Sequence, residues 1–139
     1  ALNSKKKNVR TVALLDTLEY LKRGGRISKT AAFAGNLLSI KPVIAIENGE
    51  VAILGKARGS KNGCNMLREE ITKYHGIDFS MPVCLGYTGL DDKLLQKYIK
   101  DNSDLWVSKV DNLPISSIGS TIGTHTGPGG ICVSFFSAE

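Results

Sequence analysis

Aromatic residues are scarce in this chain. Phe, Tyr and Trp make up 6% of its 139 residues, with a single Trp. None of them interleaves with the basic run near the N-terminus, so the sequence carries no base-stacking platform of the kind that holds single-stranded nucleic acid. Cysteine is scarcer still. Cys64, Cys84 and Cys132 are odd in number, far apart and free of any C-x-x-C pair. That spacing argues against a disulfide framework and against a zinc site, and for buried, reduced thiols in a cytoplasmic protein. Long apolar runs are missing as well: Val12–Leu15 and Ile131–Val133 fall far short of a bilayer span.

The common chemical signatures are also absent. There is no G-x-x-x-x-G-K-[ST] and no G-x-G-x-x-G between a strand and a helix, so no phosphate-cradling loop is indicated. Neither His75 nor His125 lies in an H-E-x-x-H pattern, and no G-x-S-x-G elbow offers an acyl-transfer nucleophile. The chain opens Ala-Leu-Asn-Ser-Lys-Lys-Lys, without an initiator Met and without the apolar core of a signal peptide. This start suggests a piece of a longer chain.

What is present is the composition of a soluble globular domain: 42% hydrophobic and 22% charged residues, enough for one hydrophobic core. The net charge is +5, and Lys5, Lys6, Lys7 and Arg10 crowd the start. A solvated terminal face accounts for that cluster; weak attraction to nucleic acid or to anionic lipid is the sharper reading.

Apolar segments alternate with turn signals, as in a mixed α/β domain. Val9–Leu15 reads as a strand. Asp16 with Glu19 reads as a capping box opening a short helix, which Gly24 and Gly25 stop. Ser28 is placed to cap a second helix with Ala31, Ala32, Phe33, Leu37 and Leu38 on its apolar face. Pro42–Glu47 and Val51–Ala57 read as strands joined at Asn48-Gly49, the pair a type I′ turn requires. Ser60 opens a helix on which Cys64, Leu67, Ile71 and Tyr74 recur at helical spacing, with Gly76 as its stop. Pro82–Tyr87 reads as a buried strand, Asp91–Lys100 as a helix, Leu105–Val110 as a strand, Ile115–Ile122 as a helix or helical turn, and Ile131–Phe136 as a central strand.

Two glycine-rich stretches stand out as candidate chemistry. Gly24-Gly25-Arg26-Ile27-Ser28 presents a permanent planar cation beside flexible backbone, suited to a carboxylate or phosphate. Equally, it is a helix stop followed by an arginine that pairs with a nearby acid. Gly123-Thr124-His125-Thr126-Gly127-Pro128-Gly129-Gly130 presents an imidazole. If the residues before it are helical, Ile118, Ile122 and His125 share one stripe, and His125 stands at the end of an apolar wall with hydroxyl donors Thr124 and Thr126 beside it. Such an imidazole can donate to an acid head group, or it is a core histidine bonded to a backbone carbonyl. Asp91-Asp92 reads as a helix N-terminal charge pair.

At these glycine segments the sequence resembles the DegV family. Leu18–Ser28 looks like the family's LxYLKKGGRIS. Ile40-Lys41-Pro42-Val43 looks like its IKPI strand. Lys56, Arg58 and Lys61 are similar to its K-x-R-x-x-K run. Gly123–Gly129 matches its G-x-H-x-GPG motif. Four motifs stand in the family's order across essentially the whole chain.

The resemblance implies a two-layer α/β domain with a mixed sheet, residues 1–139 forming the C-terminal lobe of a two-lobed protein about twice this length. It implies one long-chain fatty acid held in a tunnel between the lobes. It also implies a separate fatty acid kinase catalytic subunit that phosphorylates the carboxylate, so this chain is a lipid-binding carrier and not an enzyme. His125 would complete the carboxylate site, with Arg26 next to it. Thr124, Thr126, Ile122 and Ile118 fall around them, and Phe33, Leu37 and Leu38 are further wall candidates. No cofactor, metal or nucleic acid is expected; a cytoplasmic location and a transient membrane contact are. Two rival readings stand beside this one: a dihydroxyacetone-kinase-like phosphoryl-transfer component, and a basic regulatory or nucleic-acid-binding module.

Overall fold

The computed structural model describes residues 2–27 and 40–138. A first helical turn, α1 (Leu2–Lys5), runs through a short 3₁₀ turn at Lys6–Asn8 into β1 (Val9–Leu14). There follow α2 (Glu19–Arg23), the hairpin β2 (Ile40–Glu47) and β3 (Glu50–Arg58), and the long helix α3 (Gly59–Lys73). The second half holds β4 (Cys84–Tyr87), α4 (Lys93–Asp101), α5 (Ser103–Trp106), β5 (Ile115–Ser117), α6 (Ser120–Thr126) and β6 (Ile131–Phe136). The six strands form one mixed sheet in the order β3-β2-β1-β6-β4-β5, with only β4 and β5 parallel.

Alternation along the strands sorts the sheet into two faces. Val12, Leu14, Val43, Ala45, Leu85, Ile131, Val133 and Phe135 point to one side and pack with Leu67 and Ile71 of α3, Leu95 and Tyr98 of α4, and Trp106 of α5. This is the main core. α3 comes close to the sheet because Gly63 faces β1: a Cβ at that position would sit 2.5 Å from Leu14 Cδ1. The opposite face carries a smaller cluster, Ala13, Leu15, Leu18, Leu21 and Ile44, with Ile27, Val51, Ile53 and Cys132 half-buried around it. Among the described residues α2 contributes Leu21 to this cluster, and α6 packs against α2. Ile46 and Ile122 stay exposed, at 48% and 59%.

The expected hairpin is present: Asn48 and Gly49 both have positive φ, 53° and 82°, as a type I′ turn demands. The expected central strand is also present, β6 lying between β1 and β4. No described helix is long and apolar enough to cross a membrane.

Several local expectations are corrected. Asp16 does not cap α2; it pairs with Lys41 of β2, and the Glu19 N–H donates to the Thr17 hydroxyl at 3.2 Å. Ser60 does not cap α3, which starts at Gly59 after an extended Arg58. The stretch 105–110 is not a strand. Trp106 belongs to α5 and sits edge-on to Tyr98, ring centroids 6.4 Å apart, because burying the indole against α4 outweighs the β-propensity of a short exposed run. Residues 115–122 divide into strand β5 and the start of α6, with Gly119 between them. The helix expected from Ser28, with Phe33, Leu37 and Leu38, lies outside the described residues.

Burial gives the fold a pH dependence. Cys132 packs against the second cluster beside Gly86, and burial, with Cys84 adding to it, pushes its thiol up to about 11. Burial likewise raises Cys64, Tyr74 and, most of all, Tyr98. Each of these groups is held in its neutral form by the fold. Their stabilising effect is complete below pH ~9 and is lost as the pH rises through the folded values, because the unfolded chain ionises first. Urea unfolding should therefore give constant stability from pH 7 to 8 and a fall on the order of 2 kcal/mol by pH ~11. Cys132→Ala should remove part of that slope. An unchanged profile in the variant would refute the assignment to Cys132.

Candidate functional site

The site is built where α2 ends and α6 passes it. α2 is stopped by a Schellman arrangement. Arg26 N–H donates to Leu21 O at 2.9 Å, Gly25 N–H donates to Lys22 O at 3.1 Å, and Gly25 has φ 67°. The preceding Gly24 is not in a left-handed conformation; its φ is −79°. Its lack of a side chain matters for space. A Cβ on Gly24 would lie 2.1 Å from His125 Nδ1 and 2.8 Å from His125 Cε1. The imidazole therefore rests directly on the glycine.

Arg26 returns to the same residue. Its Nη1 donates to the Gly24 carbonyl at 2.9 Å, while the side chain stays exposed. Two residues ninety-nine positions apart, Arg26 and His125, are thus held at one glycine. The His125 ring is half-buried, and its Nδ1 is buried with no hydrogen-bond partner among the described residues. In the neutral ring Nδ1 is left unpaired in either tautomer, as a donor or as an acceptor.

A second glycine secures the approach of α6. Gly127 has φ 75°, and a Cβ there would lie 2.4 Å from Tyr20 Cδ2. The Tyr20 ring of α2 fills the space that any other residue would occupy. The loop after α6 is clamped by Thr88, which is 3% exposed. Thr88 N–H donates to Gly130 O and Gly129 N–H to Thr88 O, both at 2.9 Å; Gly130 N–H donates to the Thr88 hydroxyl at 2.8 Å. Sequence reasoning missed Tyr20 and Thr88. Nothing local marks Thr88, whose partner is forty-two residues away. Tyr20 did lie inside the LxYLKKGGRIS-like stretch.

The remaining predicted residues are placed less simply. Thr124 donates its hydroxyl to Ser120 O at 2.7 Å, and Thr126 donates to Ile122 O at 3.1 Å. Both protons are spent on the helix's own carbonyls, so these side chains offer acceptors and not the expected donors. α6 begins only at Ser120, so Ile118 is outside the helix and the expected three-residue stripe does not form. Ile118 instead leans over Gly86 of β4, where a Cβ would meet its Cγ1 at 3.1 Å. Ile122 and His125 share α6, and Ile122 is largely exposed. Lys56, Arg58 and Lys61 stand at the junction of β3 and α3. Among the described residues no cluster of three metal-ligating side chains is assembled.

Comparison with known proteins follows the same outline. The sequence matches, over residues 1–138, the family described as "Uncharacterised protein, DegV family". It is 34% identical over 121 residues to a DegV domain-containing protein of Caldanaerobacter subterraneus, a match spanning 86% of this chain and 42% of that relative. A DegV family protein from Thermus thermophilus, described by its fatty acid binding, shares 27% identity with a TM-score of 0.76, over 99% of this chain and 48% of that one. A fatty acid binding DegV family protein from Streptococcus agalactiae shares 26% identity with a TM-score of 0.76, over 99% and 48%. The chain spans somewhat under half the length of each of these.

Proposed function

The chain belongs to the DegV family, and from that premise we propose that it forms one lobe of a fatty-acid carrier, with His125 at the carboxylate end of the site. The observation that carries this reading is the seating of His125 on Gly24, with Arg26 bonded to the same glycine. It joins a directed donor and a permanent cation at one point, as binding a carboxylate requires. The second apolar cluster, on the face of the sheet that α2 joins, supports the same reading. Each methylene buried there would contribute roughly 0.8 kcal/mol, so a long acyl chain would supply most of the affinity and the polar end its orientation.

In this proposal a second lobe closes the tunnel, and Ile118 and Ile122 line its near wall. Thr124 and Thr126 shape the backbone around His125 rather than donate to the ligand. The bound acid would be presented to a separate kinase, which would phosphorylate the carboxylate; the chain itself would turn over nothing.

The test is organic extraction of the full-length protein followed by mass spectrometry, on wild type and on His125→Ala. Wild-type protein should release stoichiometric long-chain fatty acid. His125→Ala should retain about one-tenth or less after a fixed wash, the loss expected for a hydrogen bond to a charged group. An empty wild-type protein, or one carrying another ligand class, would overturn the carrier reading. Equal retention by both would remove His125 from the site.

A further inference from the structure

β1 and β2 do not stay paired along their whole length. Their register covers Val12–Leu14 against Val43–Ala45, whereas β1 remains paired with β6 back to Val9. Beyond Val12 the strands diverge toward the Asn48-Gly49 turn. The wedge between them is a cleft of about 820 Å³, lined by Lys6 and Lys7 of the 3₁₀ turn, Val9, Arg10 and Thr11 of β1, Ile46 and Glu47 of β2, the turn itself, and Tyr74 at the end of α3.

The charge of this wedge is unbalanced. It holds three cations, Lys6, Lys7 and Arg10, and one carboxylate, Glu47. Among the described residues none of the three cations forms an ion pair. Glu47 accepts a hydrogen bond from the Tyr74 hydroxyl at 2.9 Å, so its charge is partly engaged by another residue of the lining. Arg10 is positioned and not neutralised. Its guanidinium lies 5.1 Å from the centroid of the Tyr74 ring, and its Nη1 donates to Lys7 O at 2.9 Å. Its Nε is buried with no hydrogen-bond partner. A guanidinium fixed over the Tyr74 ring and not neutralised by a carboxylate matches an oxyanion in charge and planar geometry.

We propose that this wedge binds a phosphate dianion, free or as a phosphomonoester. An excess of two positive charges matches a dianion. A tetrahedral oxyanion has oxygens for Arg10, Lys6 and Lys7 at once, and Val9 and Ile46 leave an apolar floor for a small organic substituent. The wedge is formed by elements other than those that carry His125 and Arg26.

The experiment is isothermal titration of the chain at low ionic strength with inorganic phosphate and, separately, with glycerol 3-phosphate. Saturable binding in the millimolar range or tighter is expected. Lys6→Gln/Lys7→Gln should weaken it about tenfold, since both residues are exposed and their loss leaves the fold alone. Glu47→Gln should strengthen it severalfold, because it removes the one opposing charge and keeps an acceptor for Tyr74. Tighter binding of the ester would identify a phosphomonoester as the ligand, and equal affinities would identify the phosphate group alone. Binding that is not saturable, that is unchanged in the double variant, or that chloride at equal ionic strength abolishes would overturn the proposal.

Discussion

Phe135→Ala is expected to lower the unfolding free energy by about 3–5 kcal/mol, the cost of emptying a large aromatic site in a packed core. Phe135 is 1% exposed and lies on β6, which pairs with β1 on one side and β4 on the other. Its ring meets Tyr74 edge-on at a centroid distance of 6.4 Å, so the truncation also removes a support of α3 where the helix ends. Since a whole domain is stable by only about 5–15 kcal/mol, the variant should be close to unfolded at 37 °C. Urea denaturation followed by circular dichroism measures this, with Ile122→Ala as the comparison. Ile122 is largely exposed, and its loss should stay within about 0.5 kcal/mol. A Phe135→Ala protein as stable as Ile122→Ala would mean that the two-faced core is wrongly assigned.

Gly24→Ala is expected to leave the fold standing while displacing His125. The backbone of Gly24 is right-handed, a conformation alanine adopts freely. The added methyl, however, would lie 2.1 Å from His125 Nδ1 and 3.2 Å from Tyr20 O. The imidazole must move, and with it the donor proposed for the carboxylate. If the carboxylate bond is lost, fatty-acid affinity should fall by about one to two orders of magnitude, the equivalent of about 1.5–3 kcal/mol. Competitive displacement of a fluorescent fatty acid from the full-length protein would measure it. The imidazole ring proton resonances should shift in the same variant. Shifted resonances with unaltered affinity would show that His125 moves but does not hold the ligand. Gly127→Ala is the harsher companion, because its positive φ and the Tyr20 ring both oppose a side chain.

Both predictions show how differently the two halves of the problem could be read. The strand that holds Phe135 was legible from pattern: the run Ile131–Phe136 reads as a central strand, and its residues alternate between buried and half-buried. The stripe Leu67 and Ile71 marked the buried face of α3 in the same way. Where pattern was weak it misled. A β-rich reading of 105–110 lost to the burial of Trp106. A capping box at Asp16 lost to the pairing of Asp16 with Lys41, a residue that becomes its neighbour only when β1 and β2 come together. The two threonines were legible as hydroxyls, but which way they donate depended on α6 forming.

By itself, then, the sequence determined the local units: the Asn48-Gly49 hairpin, the glycine stop after α2, the amphipathic α3 and the short β-rich strands. It also determined the four motifs that mark the family. Those features depend on φ preferences and on spacing over a few residues, which the chain carries wherever it goes. Only the tertiary structure decided that β6 enters between β1 and β4, that Gly24 and His125 touch, that Thr88 clamps the loop after α6, and that β1 and β2 part to leave a basic wedge. Each of these joins residues that are distant along the chain, and no local preference encodes a contact whose energy exists only once the sheet has assembled.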